Sequence, residues 1–193
     1  MKDDADPDAP LILDDPGRLR ALSHPLRLRM LKHLGLHGPA TSTTLGELFG
    51  VKTGTTSYHL RQLERYGFIE EIPERSAGRE RWWRKSREQR DLRMPPPGTL
   101  PPEDRAVLAE LLRAGYEEDL ALFRRFPAEY RRDPAWAKMS RGLTWMTAEE
   151  LDAFNEEYIR LLLRHGHQVG DAPEGARPVY VRFFTVPGDT DPA

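Results

Sequence analysis

The residues best suited to chemistry in this 193-residue sequence are hydroxyl and cationic side chains gathered in two short stretches. Small hydroxyls and single cations at the start of a helix suit close approach to phosphates and to the edges of bases. Arginines at the tip of a hairpin suit contacts along a phosphate backbone. We therefore expect nucleic-acid contacts from Lys52, Thr53, Thr55, Ser57, Tyr58 and Arg61 in the first stretch, and from Arg75, Arg79 and Arg81 in the second.

Other kinds of chemistry fit this sequence poorly. Cysteine is absent, which excludes disulfides, thiolate metal sites and cysteine nucleophiles, and is compatible with a reducing compartment. We find no glycine-rich phosphate loop, nucleophile elbow or histidine–carboxylate cluster, so we expect no enzymatic activity and no cofactor. The pairs His33/His37 and His165/His167 are each better explained by a helix C-terminus than by a metal site.

The charge is unevenly distributed, although the net charge is only -2. Residues 14–93 carry 16 basic and 10 acidic side chains, whereas residues 1–13 and 94–193 are both net acidic. Binding to a polyanion depends on local cationic contacts and not on the whole-chain charge. The segment 14–93 is therefore where we expect nucleic acid to dock.

Composition also predicts the domain organisation. The first 13 residues are acidic and proline-containing, which predicts a disordered tail with at most a short strand at 11–13 and no export signal. A proline-rich linker at 94–102 separates a first domain, 14–93, from a second module, 103–193. No apolar run is long enough for a membrane span, and we expect a cytoplasmic protein.

Helical periodicity dominates the first domain. We expect a short helix around Leu19 and Leu22 and a second helix opened by Pro25, whose missing N–H costs nothing at the first helical position. A third helix at 45–49 follows a cap at Thr43 or Thr44, and a capped fourth helix begins near Thr53 and runs to Tyr66.

The fourth helix has an apolar side and a polar side. Val51, Leu60 and Leu63 are spaced to anchor it to the core, which leaves the hydroxyl and cationic side chains on its outer face. We expect His59 to pack partly beneath the helix, and a contact between His59 and a base is the alternative.

Beyond Gly67 the pattern becomes extended and predicts a β-hairpin, with one strand at 68–72 and another at 79–84. Trp82 and Trp83 are adjacent on the second strand, so their rings must point to opposite faces. We expect one ring to close the core and the other to lie exposed or against a neighbouring helix. Helix, turn, helix and basic hairpin in this order are typical of a DNA-reading domain.

The segments HPLRLRMLKHL, LGELFGVKTGTTSYHLRQLERYGFIEE and GRERWWR resemble the ArsR family of winged helix-turn-helix regulators, particularly a larger, actinobacterial-type subgroup. The resemblance covers about 75 residues. It implies a homodimer, a recognition helix at 54–66, a wing at 68–84 and binding to a palindromic operator in double-stranded DNA, usually in repression.

The sequence departs from the metal-sensing pattern of that family. Family members that sense metals through thiolates carry cysteines on the helix before the recognition helix, and the corresponding residues 45–49 contain none. Other members use Asp, His and Glu on a helix after the wing, and residues 86–93 contain no histidine. We expect no metal site of either kind.

The second module is predicted to be helical. A long helix starts near Pro102, and a capping box at 147–150 opens another that fades near His165. These helices suggest a dimerisation and regulatory module. Its aromatic residues are expected to fill the core, with an effector pocket for an unidentified small molecule as the alternative; they are Tyr116, Phe123, Phe126, Tyr130, Trp136 and Trp145.

Residues 178–187 read as a terminal strand, and a strand needs a partner edge. We expect it to pair with residues 11–13 or with the same strand of a second subunit. The predicted fold is therefore mainly α, a winged helix-turn-helix with a small β-hairpin wing, followed by a helical module that ends in a β-strand.

Two functional hypotheses follow from the sequence. The first is a DNA-binding transcriptional regulator, and the second is a winged-helix protein–protein interaction module without direct DNA binding. DNA binding that falls steeply with salt and with loss of the arginines separates the two.

Overall fold

The computed structural model describes residues 11–76, 80–86, 92–95 and 98–188. Within these ranges the first domain has four helices, α1 (Pro16–Leu22), α2 (Pro25–His37), α3 (Ser42–Phe49) and α4 (Thr53–Arg65). The described part of the domain also has five short strands, β1 (Leu11–Ile12), β2 (Ala40–Thr41), β3 (Ile69–Glu71), β4 (Trp82–Lys85) and β5 (Leu92–Arg93). This is the winged helix-turn-helix expected from the sequence.

The wing is part of a three-stranded antiparallel sheet in the order β2-β4-β3. β3 and β4 form the expected hairpin, with Glu71 opposite Trp83. The sequence did not reveal β2, which pairs Ala40 with Trp83 and ties the hairpin to the start of α3. The two tryptophans divide as expected, because Trp83 is buried in the core while Trp82 is half-buried.

Several boundaries differ from the sequence-based expectations. The cap of α3 is Thr41, whose hydroxyl accepts a hydrogen bond from the amide of Thr44, so the expected cap at Thr43 or Thr44 is wrong. Thr41 is better placed because it is the last residue of β2 and has extended backbone, as a capping residue requires. α4 begins at Thr53, as the sequence pattern predicts, and ends at Arg65, one residue before Tyr66; the range 54–66 implied by the family resemblance is one residue late at both ends.

The short strand at the beginning of the first domain pairs with an unexpected partner. Leu11–Ile12 pairs in parallel with Leu92–Arg93, and Leu13 N donates to Arg93 O at 2.9 Å. The expected pairing of residues 11–13 with residues 178–187 is therefore wrong, since another strand occupies that edge. Residues 178–187 are not in a strand in this chain, and their pairing with a second subunit stays a prediction.

The second module contains α5 (Pro102–Arg132) and α6 (Ala148–His165). Thr147 and Glu150 form the expected capping box at the start of α6. The first turns of α5 pack on α1, where Val107, Leu108 and Leu111 cover the core of the first domain. No helix in the described ranges has the length and apolar character that crossing a membrane requires.

The aromatic residues of the second module are not buried as expected. Tyr116, Phe123, Tyr130, Trp136 and Trp145 are exposed in the single chain, and Phe126 is half-buried. The physical reason is that α5 packs apolar side chains on the first domain only in its first turns, and none of the described residues of α6 is buried. Helical spacing identified an apolar stripe on α5, but spacing alone does not state what covers it.

Candidate nucleic-acid interface

The helix-turn-helix is held at a fixed angle by the short connection between α3 and α4. Gly50 ends α3 in the left-handed conformation, with φ 67°, which glycine adopts without strain. Val51 N then donates to Gly46 O at 2.9 Å. A Cβ on Gly46 would lie 2.9 Å from the carbonyl oxygen of Val51, so only glycine allows the turn to pack this closely on α3.

The inner face of α4 is fully buried. Leu60 and Leu63 lie in the core as expected, while Val51, just before the helix, is half-buried. The hydroxyl of Thr56 donates to Ser42 O at 2.7 Å and also contacts Thr53 O at 2.9 Å. α4 is thus anchored both by apolar packing and by a buried hydrogen bond to α3.

The opposite face of α4 presents what we call the outer stripe, formed by Gly54, Tyr58, Arg61 and Arg65. These residues are spaced by four, three and four positions, which places them along one line of a helix, and all are exposed. Thr53 and Thr55 are exposed on either side of this line at the start of the helix. The face therefore has hydroxyls and a glycine at one end and two arginines at the other.

Arg61 and Lys52 are available for contacts with an anion. The guanidinium of Arg61 donates through Nε to the carbonyl oxygen of Ser57, one turn earlier on the same helix, at 3.2 Å. Neither Arg61 nor Lys52 forms an ion pair with any residue that the structure describes. Ser57 itself is half-buried, so its side chain is less accessible than those of Thr55 and Tyr58.

The wing arginines proposed from the sequence differ in their surroundings. Arg75 is exposed, with its guanidinium 5.9 Å from the ring centre of Trp82. Arg81 is paired with Glu71 at 3.5 Å, and Arg79 lies outside the described residues. Because the side chain of Arg81 is 59% exposed and its distance to Glu71 is long, the pair contributes little stability and a phosphate can compete for the guanidinium.

Acidic residues neutralise the base of the wing. Arg84 Nε donates to Glu70 Oε1 at 2.5 Å. Burial and the neighbouring Glu71 raise the pKa of Glu64 on α4, while Arg81 opposes this shift. The cationic character of the wing is therefore concentrated toward its tip, and its base packs beside the C-terminal half of α4.

A cluster of basic groups lies beneath α4. The rings of His24 and His59 are 4.3 Å apart, and Arg27 Nη1 lies 3.4 Å from His59 Nδ1. Burial lowers the pKa of His59, and the positive charges that His24 and Arg27 can carry lower it further. His59 is buried, which agrees with the expectation that it packs beneath this helix.

Gly54 and Arg65 belong to this face but were not predicted from the sequence. Arg65 lies one turn after Arg61 and is exposed, with its guanidinium 5.6 Å from the ring centre of Tyr66. Continuing the four-residue spacing from Arg61 would have identified it. Gly54 has no side chain and therefore gave no signal in a search for polar groups.

The described residues give no support for a metal site. No group of three or more histidine, aspartate and glutamate side chains is placed to hold an ion there. His33 and His37 do lie together, with ring centres 4.6 Å apart, beside Phe49. Burial of the ring lowers the pKa of His33, and the neighbouring His37 adds to this effect.

Comparison with known proteins identifies the helix-turn-helix. Residues 22–72 match a family described as a helix-turn-helix domain, whereas no curated protein matches the chain. The match spans α2, α3, α4 and β3. Together with the winged architecture, it supports a DNA-binding transcription regulator.

Three solved structures resemble the chain at low identity. Reduced HlyU from Vibrio cholerae is 19% identical, with 51% of this chain and 84% of that chain covered and a TM-score of 0.32. The transcriptional regulator Tm0710 from Thermotoga maritima is 14% identical, with coverages of 77% and 84% and a TM-score of 0.34. A MarR mutant from E. coli complexed with operator DNA is 15% identical, with coverages of 76% and 85% and a TM-score of 0.32. These scores are too low to carry an argument.

Proposed function

We propose that the protein is a homodimeric repressor of the ArsR type, which recognises an inverted repeat in double-stranded DNA. α4 is the recognition helix, and the hairpin of β3 and β4 contacts the DNA backbone. The single observation that carries the proposal is the outer stripe of α4, which exposes two arginines opposite a fully buried face. Cations on an exposed helix of this fold fit the major groove and its flanking phosphates.

The contacts with DNA divide by their chemistry. Tyr58 and Arg61 reach outward from the middle of α4 and Arg65 from its last turn, and all three are assigned to base edges and nearby phosphates. Lys52, Thr53, Thr55 and Ser57 lie at the start of the helix and are assigned to phosphates. From the wing we assign Arg75, Arg79 and Arg81 to the backbone.

The exposed stripe of α5 supports dimerisation. Tyr116, Phe123 and Tyr130 follow one another at intervals of seven residues, with Leu112 four residues before the first. Their side chains are 63%, 57% and 52% exposed in the single chain. A seven-residue repeat of large apolar side chains is the pattern by which two helices pack along a seam. We therefore assign this stripe to contact with a second copy of the chain.

The exposed apolar area is adequate for such an interface. A large aromatic side chain has about 150–250 Å² of surface, so these aromatic residues at half exposure leave roughly 100 Å² each. Leu143 and Trp145, both nearly fully exposed beyond α5, add to this area. The sum is several hundred Å², at or above the roughly 300–600 Å² of the largest contiguous apolar patch on a typical monomer and within reach of the ~800 Å² per partner of a standard interface. The terminal segment 178–187 lies beside the stripe through the Arg182–Asp119 pair and is assigned to the same interface.

The proposal is tested by selecting duplexes that the purified full chain retains from a random pool. We expect a two-fold symmetric sequence, with half-sites separated by about one helical turn, because a symmetric dimer places two recognition helices on one side of the duplex. Recovery of a single asymmetric half-site would contradict the dimer. Failure to enrich any duplex, with the chain folded, would contradict DNA binding and favour the protein–protein interaction module.

A further inference from the structure

The segment between α5 and α6 exposes large apolar side chains. Every residue of 138–147, which we call the arm, is exposed, and none of them lies in a helix or strand. Leu143 and Trp145 are 92% and 89% exposed, more than any other large apolar side chain that the structure describes. Single exposed apolar residues are ordinary on a protein surface, but two nearly free ones so close together on an irregular segment indicate a surface that another molecule covers.

A cleft of about 470 Å³ opens on α6. Its volume lies in the range of roughly 300–1,000 Å³ that is usual for sites holding small molecules, so it has room for an indole ring. The ring of Phe183, from the terminal segment, packs against two rings of the cleft and holds them in place, with ring centres 4.4 Å from Tyr158 and 5.7 Å from Phe154. Apolar and charged side chains line the cleft; they are Phe154, Glu157, Tyr158, Arg160, Leu161 and Arg164.

The lining of the α6 cleft matches the chemistry of a tryptophan side chain. Tryptophan offers a large apolar ring, a π face that attracts cations and one N–H donor. The cleft offers aromatic and aliphatic walls, the guanidinium groups of Arg160 and Arg164, and the carboxylate of Glu157. None of these three charged groups forms an ion pair with a residue in the described ranges, so all three are available to a tryptophan ring.

The centre of the cleft is out of reach of Trp145 in the same chain. Trp145 precedes the N-cap residue Thr147 by two positions, which span at most about 7 Å. Leu161 lies 14 positions beyond Thr147, about 21 Å along α6. An indole ring is too short to bridge the remaining distance. A tryptophan of this arm therefore enters the cleft of another molecule.

A second copy of the chain is the molecule that fits. The aromatic residues of the α5 stripe leave roughly 300 Å² exposed, which is well below the ~800 Å² per partner of a standard interface. Trp145, at 89% exposure, adds roughly 200 Å². The arm also leads directly from the end of α5 to the start of α6, so it continues the surface that the stripe begins. In a two-fold dimer each such contact is made twice.

We infer that the arms are exchanged between two copies of the chain, with Trp145 of each copy inserted into the α6 cleft of the other. This inference rests on the proposed homodimer and adds a second region to its interface, separate from the α5 stripe. It explains why the most exposed apolar side chains lie on an irregular segment and not on a helix. It also assigns an occupant to the cleft.

The first experiment measures the dissociation constant of the full-length dimer by analytical ultracentrifugation. Trp145→Ala should raise the constant at least about 30-fold, the effect of losing a buried tryptophan at the centre of an interface. Leu161→Ala should weaken the dimer as well, and the double variant should dimerise about as well as Trp145→Ala alone, because the two side chains contact each other. Leu48→Ala is the matched control, since Leu48 on α3 is 53% exposed and Leu161 is 51% exposed, and it should leave the dimer unchanged.

The second experiment uses the absence of cysteine from the sequence. Chains carrying Trp145→Cys and chains carrying Leu161→Cys are co-expressed with different tags and treated with a short thiol cross-linker. We expect a covalent dimer that carries both tags. Replacing Leu161→Cys by Asp152→Cys, at an exposed position on the opposite side of α6, should abolish that product.

The outcomes distinguish the inference from the function on which it rests. If Trp145→Ala dimerises as tightly as the unchanged chain, the inference is wrong while a dimer through the α5 stripe stands. If Leu161→Ala has no effect, the cleft serves another purpose, such as holding a small-molecule effector, and the inference is again wrong. If a double variant with both cysteines cross-links only within one chain, the arm folds onto its own α6 and the exchange is disproved. If the unchanged chain is a monomer, the proposed homodimer fails first.

Discussion

Arg20 and Asp104 join the two parts of the molecule. Arg20 Nη2 donates to Asp104 Oδ1 at 2.7 Å, which connects α1 to the first turn of α5. The two partners differ in their surroundings, because the side chain of Asp104 is 2% exposed while that of Arg20 is 59% exposed. The buried carboxylate therefore depends on the arginine, whereas the arginine can be hydrated without the carboxylate.

This asymmetry predicts unequal effects of removing each partner. Arg20→Ala should lower the free energy of unfolding by about 1–2 kcal/mol, because it leaves a buried carboxylate without its donor; the exposure of Arg20 keeps the loss below that of a fully buried pair. Asp104→Asn should cost less, and the double variant should recover part of the loss. Denaturant unfolding of the three variants checks this, and a larger loss for Asp104→Asn than for Arg20→Ala would contradict it.

The tryptophan pair offers a second test of the fold. Trp83→Ala should lower the free energy of unfolding by about 3–5 kcal/mol, since the ring is buried at the centre of the three-stranded sheet. Trp82→Ala is the matched control one residue away, and it should cost under about 2 kcal/mol because its ring is only half-buried. A larger loss for Trp82→Ala than for Trp83→Ala in chemical denaturation would show that the strand faces the core with its other side, and equal losses would contradict the division of the two rings.

Stability should fall in acid through the histidines beneath α4. Burial lowers the pKa of both His24 and His59 from the ordinary value of 6.5. Between the lowered pKa and 6.5, the unfolded chain binds more protons than the folded chain, so unfolding becomes easier as the pH falls. The full stability is present above pH 6.5 and is lost as the pH falls through the folded-state pKa of each ring.

Replacing His59 alone measures how much of this pH dependence of stability comes from its ring. His59→Gln should reduce the difference between the unfolding midpoints at pH 7.5 and pH 5, since a neutral amide cannot take up the proton. His165→Gln, at an exposed site in the last turn of α6, is the control and should leave the difference unchanged. A pH dependence that is the same in both variants would rule out the cluster of His24, Arg27 and His59 as its source.

The exposed apolar stripe of α5 predicts a dimer, and a single charged side chain introduced into the stripe should disrupt that dimer. Phe123→Asp should shift the protein from dimer to monomer in analytical ultracentrifugation, because it places a carboxylate at the centre of the apolar seam. Ala121→Asp introduces the same charge at an exposed position on the other side of the helix and should leave the dimer intact. A dimer that persists in Phe123→Asp would place the interface elsewhere.

The sequence predicted the winged helix-turn-helix because its signals are local. Pro25 marks the start of α2, the spacing of Leu60 and Leu63 marks the inner face of α4, and adjacent tryptophans must divide between two faces of a strand. Each of these depends only on backbone geometry over a few residues.

Pairings between distant segments were not predictable in the same way. Both β2 and the parallel pairing of Leu11–Ile12 with Leu92–Arg93 involve strands of two residues, which are too short to show a period. The exposure of the apolar stripe on α5 was not predicted. Helical periodicity shows which residues form an apolar face, but it does not show which surface packs against that face. At the candidate interface, the lysine and arginine side chains were predicted from their residue types. Gly54 was not predicted, because it has no side chain.

The salt dependence of duplex binding tests the central claim most directly. With the selected duplex, the logarithm of the association constant should fall linearly with the logarithm of salt concentration, with a slope of magnitude roughly 4 or more. Arg61→Ala should weaken binding and reduce that magnitude by about 2 per dimer, one for each subunit. Arg124→Ala, which removes the same charge from an exposed site on α5, should leave both unchanged. A slope near zero, or an Arg61→Ala variant that binds like the unchanged protein, would contradict recognition through the outer stripe of α4.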